Sequence, residues 1–216
     1  MFILIGCAMS DKMGNYWQVN LKIKDNLKYA IFLFIVLAGL AALSVPVRLY
    51  VSDILLNRAK NYESLAPSKA LAAYQNAIDI FPDKNPFYLS DYSYFLALYV
   101  TTYETDNQEL FISRAAAMIK QAEELAPNNL VVLRKVANTY LLISSIDQSY
   151  ELKAEEVGKK LTQLAPTDPQ SYYSLAKIQA GIGKEEEARK TLEKTLSLKS
   201  DYQEAEELLQ QLTTDN

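Results

Sequence analysis

The residues in this sequence that could do chemistry are polar side chains suited to binding. Arg134 and Asn138 are four residues apart, which places them one turn apart on a helix. A guanidinium and an amide at this spacing, together with Lys177 further along the chain, could clamp a carboxylate or a polar backbone. The alternative is that these are ordinary exposed polar residues on a helix surface.

The residue types present in the sequence give little support for a catalytic site. The sequence has no histidine, no metal-ligand cluster, no glycine-rich phosphate loop and no nucleophile beside a base. The acidic run Glu185 to Glu187 is typical of a solvated first helical turn, where the helix dipole favours negative charge. We therefore predict a protein that is not an enzyme and that uses no metal and no cofactor.

Charge divides the chain into two parts. Residues 1–48 carry five basic and two acidic residues, a net charge of +3. The remaining residues carry 17 basic and 24 acidic residues, a net charge of −7. An acidic domain of this kind argues against nucleic acid as its ligand.

An uncharged stretch of 19 residues runs from Tyr29 to Val47. At about 1.5 Å per residue it is long enough for a hydrocarbon core of roughly 30 Å. A buried core helix would carry a polar stripe, but here only Ser44 is polar, and a signal peptide would be shorter and nearer the N-terminus. The stretch predicts a transmembrane helix over 29–50, in which Pro46 lies in the last turn of the span.

The N-terminal residues allow two interpretations. Leu4 to Cys7 resemble a lipoprotein cleavage box with an acylated cysteine, although the preceding apolar stretch is short and has no basic leader. Alternatively, residues 1–28 comprise the end of a preceding, truncated membrane segment and a basic linker, which we favour. Four basic residues precede the span and three follow it, which favours a cytoplasmic N-terminal side and an extracytoplasmic downstream domain.

The downstream region repeats itself. Aligning "AIDIFPDKNP", "AEELAPNN", "LTQLAPTDP" and "LSLKSDY" superposes Pro82, Pro127, Pro166 and Ser200, with separations of 45, 39 and 34 residues. A proline follows the apolar helical run in the first three segments. Pro127 stops one helical hairpin, and Asn128 with Asn129 provides the turn into the next. The last separation is the period of a known helical repeat.

The last repeat resembles the tetratricopeptide repeat (TPR) family. Its first helix has large and small residues on one face, "GIG" breaks the chain, and a second helix continues the pattern. The matching positions are Tyr172, Leu175, Ala176, Ala188, Leu192 and Ser200. The resemblance implies an all-α fold in which the transmembrane helix is followed by a right-handed TPR solenoid over 51–212.

The earlier repeats match less completely, giving about three good repeats and one partial one. Gly158 stands where a large residue is expected and should weaken its helix, and Asp91 replaces an expected leucine. The helix over 51–61 is degenerate and is interpreted as a continuation of the membrane helix. Further matches are Ala70, Tyr74, Ala77, Tyr88, Tyr92, Phe95, Ala115, Ile119, Ala122, Leu133, Val136, Ala137, Tyr140, Ala154 and Leu161. Leu208, Leu209 and Leu212 predict a C-terminal capping helix.

The TPR resemblance also implies a concave groove that binds a protein or peptide partner. It places six residues on that groove: Leu89, Ser93, Arg134, Asn138, Tyr173 and Lys177. An aromatic stripe in the second repeat, with spacings of three and four, consists of Tyr88, Tyr92, Phe95, Tyr99 and Tyr103. Tyr88, Tyr92 and Phe95 are expected in the core, whereas Tyr99 and Tyr103 could form a stacking surface for a glycan.

A second resemblance concerns the junction after the span. The segment from Val45 to Pro82, with "RA" at Arg58 and Ala59, is similar to the end of the bacterial O-antigen ligase and polymerase family, whose last membrane helix can lead into a TPR tail. We therefore predict a membrane-anchored interaction scaffold of the bacterial cell envelope. The alternative is the non-catalytic TPR tail of such a glycosyl-transferring protein.

Overall fold

The computed structural model describes residues 25–80 and 85–214, and within these ranges it contains nine α-helices and no strand. The expectations for residues 1–24, including Cys7, and for Pro82 concern residues outside the described ranges. A short 3-10 turn, Gln148–Tyr150, precedes α6. The helices are α1 Asp25–Tyr62, α2 Pro67–Ile80, α3 Pro86–Thr102, α4 Gln108–Leu125, α5 Leu130–Ser144, α6 Glu151–Leu164, α7 Pro169–Gly181, α8 Glu185–Leu198 and α9 Gln203–Thr214.

The described residues divide into two compact units, one over 25–45 and the other over 46–80 with 85–214. In the first unit, the described part of α1 has almost all of its side chains exposed. The most apolar stretch of 18 residues in this helix has a mean hydropathy of 2.6, and none of these residues is buried. A helix long and apolar enough to cross a membrane therefore covers the predicted span.

The second unit is a series of helical hairpins. Residues 46–62 of α1 belong to this unit, and Leu56 and Ala59 pack in one cluster with Ala70 and Tyr74 of α2. The helix over 51–61 is thus a continuation of the apolar helix, as interpreted from the sequence. The pairs α3 with α4, α5 with α6 and α7 with α8 follow, and α9 packs on α8.

The predicted hairpin boundary at Pro127 is confirmed. Helix α4 ends at Leu125, and Asn129 caps α5 by accepting hydrogen bonds from the amides of Val131 at 3.0 Å and Val132 at 3.2 Å. Since the first amides of a helix have no partner inside it, this cap stabilises the new start. Within the last hairpin, Gly183 has a φ of 77°, which suits a residue without a Cβ.

The core follows the repeat pattern with one correction. Ala176, Ala188 and Leu192 are fully buried, as the TPR pattern predicts. The position of Gly158 does not accommodate the large residue expected there: a Cβ built at Gly158 would lie 2.9 Å from both Leu175 Cδ1 and Ile178 Cδ1. The glycine therefore lets α7 side chains approach the α6 backbone closely.

The C-terminal helix covers the end of the array. Leu208, Leu209 and Leu212 of α9 pack against a cluster formed by Ala176, Leu192 and Ala205. Charged residues occupy the other side of α9. Helix α9 therefore covers apolar surface that the last hairpin would otherwise expose, as a capping helix does.

Candidate functional site

The four predicted groove residues of α5 and α7 are all partly accessible to solvent. Arg134 and Asn138 lie one turn apart on α5, Tyr173 and Lys177 lie one turn apart on α7, and all four are half-buried. The two helices are in contact with each other. Residues four apart share a helix face, so each helix contributes one aligned pair of partly accessible side chains.

The two predicted groove residues on α3, Leu89 and Ser93, are buried. Leu89 is buried in the cluster that contains Val132 and Val136 of α5, and Ser93 is fully buried, with its hydroxyl donating to the Ser90 carbonyl at 3.2 Å. Ser90, Asp91, Tyr92 and Ser93 are four consecutive residues, and all are buried. Because successive helical residues turn by about 100°, α3 is covered on nearly every side at this level and offers little surface there.

Arg134 already has an acidic partner inside the chain. Its Nη2 lies 2.5 Å from Oδ2 of Asp168, which precedes α7. Asp168 also caps α7, accepting from the Ser171 amide at 3.0 Å and the Ser171 hydroxyl at 2.6 Å. Partial burial acts to raise the pKa of Asp168, but the hydrogen bonds from Ser171 and Arg134 hold it below its ordinary value. The pair joins two successive hairpins.

Cations and aromatic rings alternate at the C-terminal end of this face. Lys177 Nζ lies 5.2 Å from the ring centroid of Tyr173, and Lys199 Nζ lies 5.0 Å from that of Tyr202. The two rings meet edge to face, with centroids 5.1 Å apart. Burial lowers the pKa of Lys177. These contacts are typical of cation–π interactions, in which the ammonium hydrogens that point away from the ring can still bind an acceptor.

Sequence reasoning missed three residues of this site. An aspartate directly before a proline is typical of a helix start, so Asp168 could have been predicted as an N-cap from Asp168 and Pro169. Lys199 and Tyr202 lie in the connection between α8 and α9, and nothing in their spacing pointed to Tyr173. Their contact depends on how α9 folds back, which the repeat pattern does not specify.

Two buried carboxylates tie neighbouring hairpins together. Asp91, at the position of the expected leucine, pairs with Lys60 of α1 at 2.8 Å and with Lys135 of α5. Glu155 of α6 pairs with Lys159 at 2.8 Å and with Lys184, just before α8, at 2.7 Å. A buried charge requires such partners, so both acids are explained by packing between hairpins.

The aromatic stripe of α3 lies mainly in the core. Tyr92 and Phe95 stack on Tyr74 of α2, each with a ring-centroid distance of 5.3 Å. Tyr99 is half-buried and meets the ring of Phe111 edge to face at 5.9 Å. Tyr103 is exposed and lines a shallow depression beside the α3–α4 connection. None of four surface depressions in the described part of the chain includes a predicted groove residue.

Comparison with known proteins identifies the fold. No protein-family model matches the sequence, and no curated protein sequence matches it. Solved structures do match. MamA (residues 41 to the end) from Desulfovibrio magneticus RS-1 is 17% identical with a TM-score of 0.53, covering 76% of this chain and 84% of that one. TTC0263, a thermophilic TPR protein in Thermus thermophilus, is 17% identical with a TM-score of 0.56, covering 76% of this chain and 82% of that one. The described hairpins therefore have the fold of a TPR solenoid.

Proposed function

We propose that this protein is a membrane-anchored TPR scaffold that binds a protein or peptide partner in its concave groove, with the repeats on the extracytoplasmic side. The observation that carries the proposal is a helical-hairpin array that begins within the same helix as a long, exposed, apolar segment. A solenoid uses its core residues for stacking, so its contribution is surface for binding.

The membrane anchor is supported by the ends of the apolar segment. Tyr29 and Tyr50 are 73% and 69% exposed. In a continuous helix the residues between them span about 31 Å, close to the thickness of a hydrocarbon core. Tyrosine is enriched at both membrane–water interfaces, where the ring is buried and the hydroxyl is hydrated. We therefore assign residues 29–50 to the bilayer.

The proposed groove consists of Arg134, Asn138, Tyr173 and Lys177. Because Asp168 neutralises Arg134, a ligand carboxylate would compete with Asp168 for that guanidinium. Lys177 has no such acid in its described contacts and stacks on Tyr173. The groove thus suits an acidic or carboxylate-bearing segment of a partner, with Lys177 as the principal charge.

Site-specific photo-crosslinking tests the groove. A photoreactive amino acid in place of Asn138, in the full chain in native membranes, should give a protein adduct. The same amino acid in place of the exposed Glu193 of α8 is the matched control and should give none. No adduct from the Asn138 position, or equal adducts from both positions, would contradict partner binding in the groove.

Protease accessibility tests the sidedness. With a tag after Asn216, the repeats should be digested in intact cells or vesicles of native orientation and protected in everted vesicles. The reverse pattern would place the repeats in the cytoplasm and contradict the extracytoplasmic assignment.

A second candidate function is the non-catalytic TPR tail of an O-antigen ligase or polymerase-type membrane protein. The passage of the apolar helix through Arg58 and Ala59 into the first hairpin favours it. The size of the native protein distinguishes the candidates. An antibody against the repeats should detect a band of 24.4 kDa for the scaffold alone, and a much larger protein for the tail.

A further inference from the structure

Two successive hairpins have enlarged connections at the same edge of the array. Residues 103–107 join α3 to α4, and residues 145–150 join α5 to α6, whereas only residues 182–184 join α7 to α8. Each of these connections links the first helix of a hairpin to the second, so in a stack they emerge at one edge. We call the two longer connections, together with the helix ends on either side of them, the insertion edge, residues 101–113 and 144–152.

The insertion edge borders an open depression of about 470 Å³. Glu109 and Ile112 line it from the start of α4, and Ile146, Asp147 and Tyr150 line it from the connection before α6. Residues from two hairpins therefore form one concave surface. This surface is separate from the groove residues of α5 and α7, none of which lines it.

The insertion edge is apolar at several exposed positions. Leu110 is 60% exposed, Leu152 is 76% exposed and Ile146 is 38% exposed. Scattered single apolar residues are common on protein surfaces, but here Ile146 lines the depression itself, and Leu110 and Leu152 lie on the two helix starts that border it. Burying them against a partner would remove apolar surface from water.

The charged residues of the insertion edge are all acidic. Residues 101–113 contain three acidic residues and no basic residue, and residues 144–152 contain two acidic residues and no basic residue. The nearby Lys153 lies over the rings of Tyr140 and Tyr150, and Arg114 lies over the ring of Tyr92. Hydrogen bonds from the hydroxyl and amide of Ser149 hold the pKa of Asp147 below its ordinary value, so this carboxylate keeps its charge.

From this combination we propose that the insertion edge is a second docking surface, which binds a basic protein segment that carries large aliphatic side chains. The lysine or arginine residues of that segment meet Glu109 and Asp147, and its aliphatic residues cover Ile146 and the half-buried ring of Tyr150. The acidic rim repels nucleic acid and anionic lipid, so charge complementarity selects a basic peptide.

The test measures binding of a short, fluorescently labelled peptide of alternating lysine and leucine to the full chain in nanodiscs of zwitterionic lipid. We expect saturable binding that weakens with salt, and no binding of the matching peptide with glutamate in place of lysine. In the double variant Glu109→Gln and Asp147→Asn, affinity should fall about fivefold. Asparagine preserves the cap of the 3-10 turn that Asp147 forms.

The matched control is Glu193→Gln, which removes one exposed charge from α8 and should leave affinity unchanged. Ile146→Ser should weaken binding at every salt concentration, because it removes an apolar contact. Unchanged affinity in the Glu109→Gln, Asp147→Asn variant would overturn the proposal, because the peptide would then bind somewhere other than the insertion edge. Self-association of the chain that disappears in the double variant would identify a second copy as the occupant and also overturn it.

Discussion

Glu155 illustrates how a single buried carboxylate can join two hairpins. Its side chain is 6% exposed, and its two oxygens pair separately with Lys159 of its own helix and Lys184 of the next hairpin. Hydrogen bonds from Lys159 and Lys184 hold the pKa of Glu155 below its ordinary value. The charged form is thus stabilised by folding, which makes this interaction dependent on pH.

We expect Glu155→Gln to lower the free energy of unfolding by about 2 kcal/mol at neutral pH, because charge-assisted hydrogen bonds are lost from a buried site. The measurement is urea unfolding of the full chain in detergent. The neighbouring Glu156 is exposed, so Glu156→Gln is the matched control and should change stability by less than about 0.5 kcal/mol.

The pH dependence of the Glu155 effect has a defined sign. Because the folded carboxyl has the lower pKa, its contribution is complete above the unfolded value of about 4.3 and is lost as pH falls through the folded value. The stability difference between the wild type and Glu155→Gln should therefore shrink below about pH 4.3. A difference that stays constant down to strongly acidic pH would contradict the ion-pair explanation.

At the scale of helices, α6 and α7 pack closely because Gly158 has no side chain. Gly158→Leu should destabilise the protein by about 2–3 kcal/mol, since overpacking would displace Leu175 and Ile178. Gly158→Ala should cost much less, because the contacts are with the ends of flexible side chains and alanine favours the helix. Thermal unfolding of both variants checks the order, and equal effects would contradict close packing as the cause.

Asp91 connects three first helices, α1, α3 and α5, through Lys60 and Lys135. Asp91→Asn should lower the free energy of unfolding by about 2 kcal/mol, because both lysines lose a buried partner. Hydrogen exchange should accelerate at residues 52–62, where α1 packs on the first hairpin. Asp106→Asn, in the exposed α3–α4 connection, is the control and should leave exchange there unchanged.

The sequence predicted those helical features that depend on local periodicity. Pro127, Asn129 and the spacing of Ala176, Ala188 and Leu192 each specify a boundary or a contact within one hairpin, and all are confirmed. The burial of Leu89 and Ser93 depends on neighbouring helices that cover α3, and the Arg134–Asp168 pair joins residues 34 apart in sequence. Periodicity within one repeat contains no information about such contacts between repeats.

At the scale of the whole molecule, the apolar segment allows the proposed membrane anchor to be tested. In the double variant Leu37→Arg and Leu40→Arg, each arginine at the centre of a membrane helix should cost about 2.5–3.5 kcal/mol. We expect this variant to move from the membrane pellet to the soluble fraction after an alkaline wash. Leu152→Arg, at an exposed position in the hairpins, is the control and should stay in the pellet.

The buried tyrosines give the array an optical signal of its own. Burial, followed by the acidic groups beside each ring, raises the pKa of Tyr88 and of Tyr140 to about 12, and burial also raises that of Tyr74. These phenols stay protonated at a pH where exposed tyrosines, with a pKa of about 10, ionise. Stability therefore falls as pH rises above that value, and tyrosinate absorption in alkali records the opening of the hairpins without any added dye.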